Sequence, residues 1–137
     1  MRTESGRSAA VELTERGYAA FAAGDVDVLL ALFAEDIEWH AGGAHPMAGV
    51  HRGTDEVLGF LATVLEQVEG YYQQDVRRII VGQDAEDPVV VLVHCEAGRD
   101  GVVVEADEVH LHFYRDGRLA RFVGYATDFS GMDALLG

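Results

Sequence analysis

The sequence predicts an α+β fold, with three helices first, an antiparallel sheet after them, and the helices packed on one face of that sheet. Three observations predict it. Up to Val68, apolar residues recur mostly at helical spacing; from Tyr71 onward they follow strand-like runs. The later runs are separated by Arg99-Asp100-Gly101 and Arg115-Asp116-Gly117. Asp-Gly is a hairpin signal because both central positions of the tight turn favour positive φ. The length of 137 residues and a hydrophobic content of 49% suit one core, and no linker or repeat divides residues 1–137.

The elements follow in order. Val11, Tyr18, Phe21 and Ala22 share one face of a first helix over 8–23, which Gly24 ends. Asp25 caps a second, short helix over 26–33. A short strand is expected over 36–40. Residues 41–53, with four glycines, one proline and two histidines, read as a loop. Thr54 is the expected N-cap of the third helix, with Asp55 and Glu56 in its first turn, where the dipole favours acids. Val57, Leu61, Val64, Leu65 and Val68 form its buried stripe. Strands are expected at 72–82, 88–97, 102–115 and 118–127.

Composition narrows the function. Asp and Glu number 24 against 10 Arg and no Lys, giving a net charge of −14. Such a surface repels phosphate backbones and anionic lipid, so nucleic-acid and membrane partners are not expected. The one cysteine, Cys95, excludes an internal disulfide and a four-thiolate zinc site. No apolar run spans a bilayer and the first ten residues lack a signal-peptide centre, so a cytoplasmic location is expected.

The strand over 102–115 is the informative one. Glu108, His110, His112 and Tyr114 fall on one face; Val109, Leu111 and Phe113 fall on the other. Helices over the polar set would enclose those groups in a cavity. The apolar set would then be buried by a second subunit, giving a homodimer through the outer sheet face. The opposite parity, with the histidines on solvent, fits the pattern equally well.

Three segments carry a family resemblance. They are Gly24-Asp25-Val26-Asp27 with Leu32-Phe33-Ala34-Glu35-Asp36-Ile37-Glu38-Trp39-His40, then 45–53, then His112-Phe113-Tyr114-Arg115-Asp116-Gly117-Arg118-Leu119. The chain resembles, over residues 8 to 128, the SnoaL-like branch of the nuclear transport factor 2-like superfamily, which includes ketosteroid isomerase and polyketide cyclases. The resemblance implies a curved antiparallel sheet wrapped around three helices as a cone with an internal pocket. It also implies frequent dimers, no metal and no organic cofactor. The isomerase's general-base aspartate would fall at Ala41, its helix-one tyrosine at Gly17 beside Tyr18, and its proton-donating aspartate at His110. The cyclases' histidine also matches His110, and their partner aspartate falls at Gly124, with Asp128 further along. The resemblance puts His110 inside.

His110 is therefore the expected acid/base residue, since a neutral imidazole exchanges protons near working pH. Glu108 would orient it or act as base, and Asp128 would pair with it. Trp39, Tyr18, His40, His45, His112, Tyr114 and Phe122 are the expected substrate-binding residues. His110-x-His112 could chelate a metal, but the third ligand expected a few residues later is missing, so no metal is expected. Cys95 is expected to be inert packing. The expected function is a cofactor-free enzyme transferring protons on an apolar, carbonyl-bearing metabolite, of isomerase or cyclase type. Two other readings stay open: a non-catalytic binder of small ligands, and a homodimeric protein-interaction domain.

Overall fold

The computed structural model describes residues 2–69 and 71–137. Helix α1 runs from Glu4 to Ala23, starting earlier than the apolar spacing alone indicated. Thr3 caps it by accepting from the Gly6 N–H, which moves the start upstream of the first buried residue, Ala10. Gly24 ends it in the left-handed region at φ 66°, where a side chain would be strained. Asp25 then accepts from the Val28 N–H and opens α2 (Val26–Leu32). Strand β1 (Phe33–Ala41) follows without a break.

The stretch expected as loop contains strand β2 (Gly49–Arg52), which pairs antiparallel with β1 from Glu38↔Arg52 to Ala41↔Gly49. Helix α3 (Thr54–Gln67) begins at the predicted place, but Gly53 is its N-cap and Thr54 makes no capping bond. Val57, Leu61, Val64 and Val68 are buried as expected; Leu65 is half-buried. Then come β3 (Tyr72–Val81), β4 (Val89–Arg99), β5 (Val102–Arg115) and β6 (Arg118–Ala126). Both Asp-Gly turns have positive φ at both residues: Asp100 53°, Gly101 80°, Asp116 53° and Gly117 74°. A fourth helix, α4 (Ser130–Leu136), was not expected.

The six strands form one sheet in the order β2-β1-β6-β5-β4-β3. It is mixed rather than purely antiparallel, because β1 pairs with β6 in parallel. The helical layer lies on one face. That face carries the buried row Val89, Val91, Val93, Cys95 and Ala97 of β4. It also carries His110 and His112 of β5, which are 3% and 6% exposed. The parity left open by the pattern is thus resolved with the histidines inside. Among the described residues, no helix is long and apolar enough to cross a membrane.

Candidate active site

Between the sheet and the helices lies a cavity of about 150 Å³. A dry cavity of roughly that size accepts one benzene-sized ring. Most of its wall is apolar. Trp39 of β1 and Phe122 of β6 are register partners, and their rings stack at 3.8 Å. Leu29, Phe60 and Leu61 close the helical side, and Phe129, Met132 and Leu136 around α4 close one end.

The polar groups are concentrated on β5. Strand alternation puts Glu108, His110, His112 and Tyr114 in a row facing α1, and all four line the cavity. Helix α1 answers with Tyr18 and Thr14. The Tyr18 hydroxyl lies 2.6 Å from His110 Nδ1 and 2.9 Å from His112 Nε2. His110 Nε2 lies 2.7 Å from Glu108 Oε1. Thr14 donates to the Ala10 carbonyl and meets the Tyr114 hydroxyl at 2.8 Å. The result is a continuous chain of groups, Glu108–His110–Tyr18–His112, with both nitrogens of His110 engaged. Only His112 Nδ1 among these ring nitrogens is buried without a partner.

Burial sets the charge of this chain. It pushes the Tyr18 phenol well above its usual range, with Tyr114, Cys95 and Glu108 adding to the effect, and it raises the Tyr114 phenol as well. Tyr18 therefore keeps its single proton. His112 is pushed down to about 3, by burial first and His110 second, and is neutral at working pH. Burial likewise raises the Cys95 thiol, with the Glu108 carboxylate beside it. Cys95 is thus a protonated, packed thiol and a poor nucleophile, as the sequence indicated.

Atoms of Cys95, Glu108 and His110 lie within 4.8 Å of one another. Two ligand atoms on a tetrahedral zinc stand roughly 3.3 Å apart. The 2.7 Å between Glu108 and His110 is instead a donor–acceptor distance. The cluster is accounted for by hydrogen bonding.

The expected residues are mostly brought together. Tyr18, Trp39, His40, His45, Glu108, His110, His112, Tyr114 and Phe122 all line the cavity. His40 does so only from the strand's end, where its Nε2 lies 3.1 Å from Glu38. His45 is buried under the loop that Asp133 holds, with Asp133 Oδ1 accepting from the Ala44 and His45 N–H groups. Asp128 is the exception and corrects the expectation. It is exposed and does not pair with His110; its carboxylate accepts from the Ser130 N–H at the entry to α4. The reason is local, since a side chain in that turn satisfies a free amide at once.

Two substitutions of position stand out. Gly124 sits directly opposite His110 in the β5–β6 register and offers no carboxylate. Glu108, two residues earlier on the same strand, fills that role. Gly17 lines the cavity without a hydroxyl, and Tyr18 next to it supplies the phenol. Lining residues that were not expected in the site include Thr14, Tyr72 and Gln74, and Phe129, Met132 and Leu136 at the closed end. The 132/136 spacing was a helical signal, but too short a one to stand alone.

Comparison with known proteins agrees with this fold. Bal32a, from a soil-derived mobile gene cassette, superimposes with a TM-score of 0.89 at 22% identity, covering 95% of this chain and 98% of that one. TerC, solved with polyporic acid, gives 0.81 at 26%, covering 93% and 98%. IdmH from Streptomyces antibioticus, a candidate polyketide cyclase, gives 0.72 at 22%, also covering 93% and 98%. The uncharacterised protein Rv0034 of Mycobacterium tuberculosis is 31% identical over 118 residues, 86% of this chain and 88% of the relative. Residues 14–122, from the buried Thr14 to the cavity wall at Phe122, match the SnoaL-like domain, and the chain belongs to that family.

Proposed function

We propose that the protein is a cofactor-free enzyme that moves a proton on an apolar carbonyl compound about one ring in size, with isomerase- or cyclase-type chemistry. The observation that carries this reading is the Glu108–His110 pair, a carboxylate and an imidazole 2.7 Å apart on the wall of an apolar cavity. The imidazole beside the carboxylate orients it and shares the proton it takes. Trp39 and Phe122 offer flat apolar surface to the substrate. The unpaired Cys95 suits a reducing compartment such as the cytoplasm. The same reading makes the active form a homodimer through the outer sheet face.

The test is solvent exchange. Acetophenone, a one-ring ketone, is incubated in D₂O with the protein, and loss of its α-proton signal is followed by NMR. The expected result is exchange above the buffer rate, falling at least tenfold in Glu108→Gln. Binding of the ketone without faster exchange would favour the non-catalytic binder instead. Ala41 favours that second reading, because it lines the cavity where the isomerase's base would fall.

A further inference from the structure

His112 Nδ1 is the one ring nitrogen in the polar row that is buried and meets no donor or acceptor of the protein. Its ring lines the cavity. A buried polar atom left unpaired costs about 1–3 kcal/mol, so native structures rarely leave one without a reason. Counting protons along the chain shows what kind of atom it is. With Glu108 ionised, His110 Nε2 carries a hydrogen and donates to it. A neutral His110 then has a bare Nδ1, which accepts the Tyr18 O–H at 2.6 Å. That O–H is the only proton Tyr18 has, so its oxygen must accept from His112 Nε2–H at 2.9 Å. His112 is neutral, so its Nδ1 is a bare lone pair. Every bond in the chain points one way, from His112 towards Glu108.

We propose that His112 Nδ1 is the atom that receives the ligand's O–H, from a phenol or an enol, and that Tyr18 and His110 relay the resulting proton towards Glu108. This rests on the reading of the cavity as a ligand site and deepens it. The transfer balances. The ligand's O–H bond breaks and an Nδ1–H bond forms on His112. His112 Nε2 gives its proton to the Tyr18 oxygen, and the Tyr18 hydroxyl gives its own to His110 Nδ1. His110 Nε2 gives its proton to Glu108. The ligand is left as an oxyanion facing a new N–H donor, and the negative charge of Glu108 has been neutralised. Return of the protons in reverse order restores both. The relay thus presents an acceptor to a hydroxyl and a donor to its anion, and the total charge of the site stays the same because the negative charge moves from Glu108 to the ligand. His112 would touch the ligand; Tyr18 and His110 act through it as positioning residues.

The test uses phenol and toluene, which match in ring size and differ in the hydroxyl. The whole protein, labelled with ¹⁵N-histidine, is titrated with each, and ring-nitrogen shifts are read by long-range NMR. The free protein should show His112 protonated at Nε2 and bare at Nδ1. Phenol should move Nδ1 towards the hydrogen-bonded position, while toluene should fill the cavity and leave it unmoved. His112→Leu should weaken phenol at least tenfold and spare toluene. Tyr18→Phe should still bind phenol but uncouple the His110 shifts from it. A proton on Nδ1 in the free protein would overturn the proposal without any variant being needed. Phenol that shifts the His110 ring nitrogens and not those of His112 would overturn the relay and leave the Glu108–His110 base standing. If neither compound enters, both readings fall.

Discussion

At the scale of single residues, His112 has an energetic signature separate from any ligand. In the folded chain it is pushed down to about 3, whereas an unfolded histidine titrates near about 6.5. Between those values the unfolded chain binds a proton that the folded chain refuses. Stability from this group therefore rises with pH, is complete above about 6.5, and is lost on acidification at up to about 1.4 kcal/mol per pH unit. The groups facing it are Tyr18, His110 and Tyr114, with Glu108 beyond His110. His94 on the outer face works in the opposite direction. Asp107 and Glu105 raise it, so its contribution is present at low pH and fades as pH rises through its folded value. The two are separated by substitution. Urea unfolding at about pH 7 and about pH 5 should show a shallower acid loss in His112→Leu than in the wild type. Equal slopes in both proteins would mean that His112 titrates normally in the fold. Tyr18→Phe tests the neighbouring bonds. It strands the His112 Nε2–H and the His110 Nδ1 lone pair together, and should cost about 1–3 kcal/mol in the same measurement.

At the scale of elements, α4 and the 42–48 loop close one end of the cavity together. Asp133 ties them by accepting two backbone N–H bonds from Ala44 and His45. Gly42 is packed against them so closely that a Cβ there would stand 2.4 Å from the Phe129 ring and 3.1 Å from the Gly124 carbonyl. Asp133→Ala should cost about 2 kcal/mol, since each bond has a charged acceptor. Amide exchange at Ala44 and His45 should quicken, while β4 and β5 keep their protection. Unchanged exchange at the loop would show that the loop is held by something other than Asp133. This end is also where the sequence was least legible. The β3–β6 meander could be read almost to the residue, because alternation and two Asp-Gly turns mark it. Short elements do not advertise themselves in that way. β2 has four residues inside a glycine-rich stretch, and α4 has seven with Gly131 in its first turn. Both form because tertiary partners exist for them, β1 in one case and the cavity end in the other. The parallel pairing of β1 with β6 is likewise a matter of topology, invisible to local pattern. In the site, residue types could be read from the pattern, while parity came from the family resemblance and not from the alternation itself. Of the two carboxylates expected beside His110, Glu108 on the same strand pairs with it and Asp128 does not, because the turn at Ser130 takes the Asp128 carboxylate.

At the scale of the molecule, the price of pointing histidines inward is an apolar outer face. Register places Leu111 between Val90 and Val123, and Val109 between Leu92 and Tyr125. Tyr125 is 54% exposed, and Ile80 opposite Val90 is also exposed. This is a contiguous patch across four strands, more than scattered surface residues require. Its rim carries both signs, with Arg78 and Arg121 at one part and Glu105 and Asp107 at another. A two-fold interface brings the same patch against itself, so a rim of mixed sign can pair with its own copy, while a rim of one sign could not. The mixed rim matters more because each chain has a net charge of −14 and two copies repel at long range. Added salt should therefore tighten the association by screening that repulsion. Light scattering should give twice 14.9 kDa for the wild type. Leu111→Glu sets two carboxylates against each other near the centre of the patch and should give the monomer. Leu111 points away from the cavity, so the His110 and His112 ring-nitrogen shifts should be the same in that monomer as in the dimer. A wild type that stays monomeric at high micromolar concentration and raised salt would leave this face to a different partner. A change in the histidine shifts on dissociation would mean instead that the second subunit helps to shape the cavity through β5 itself.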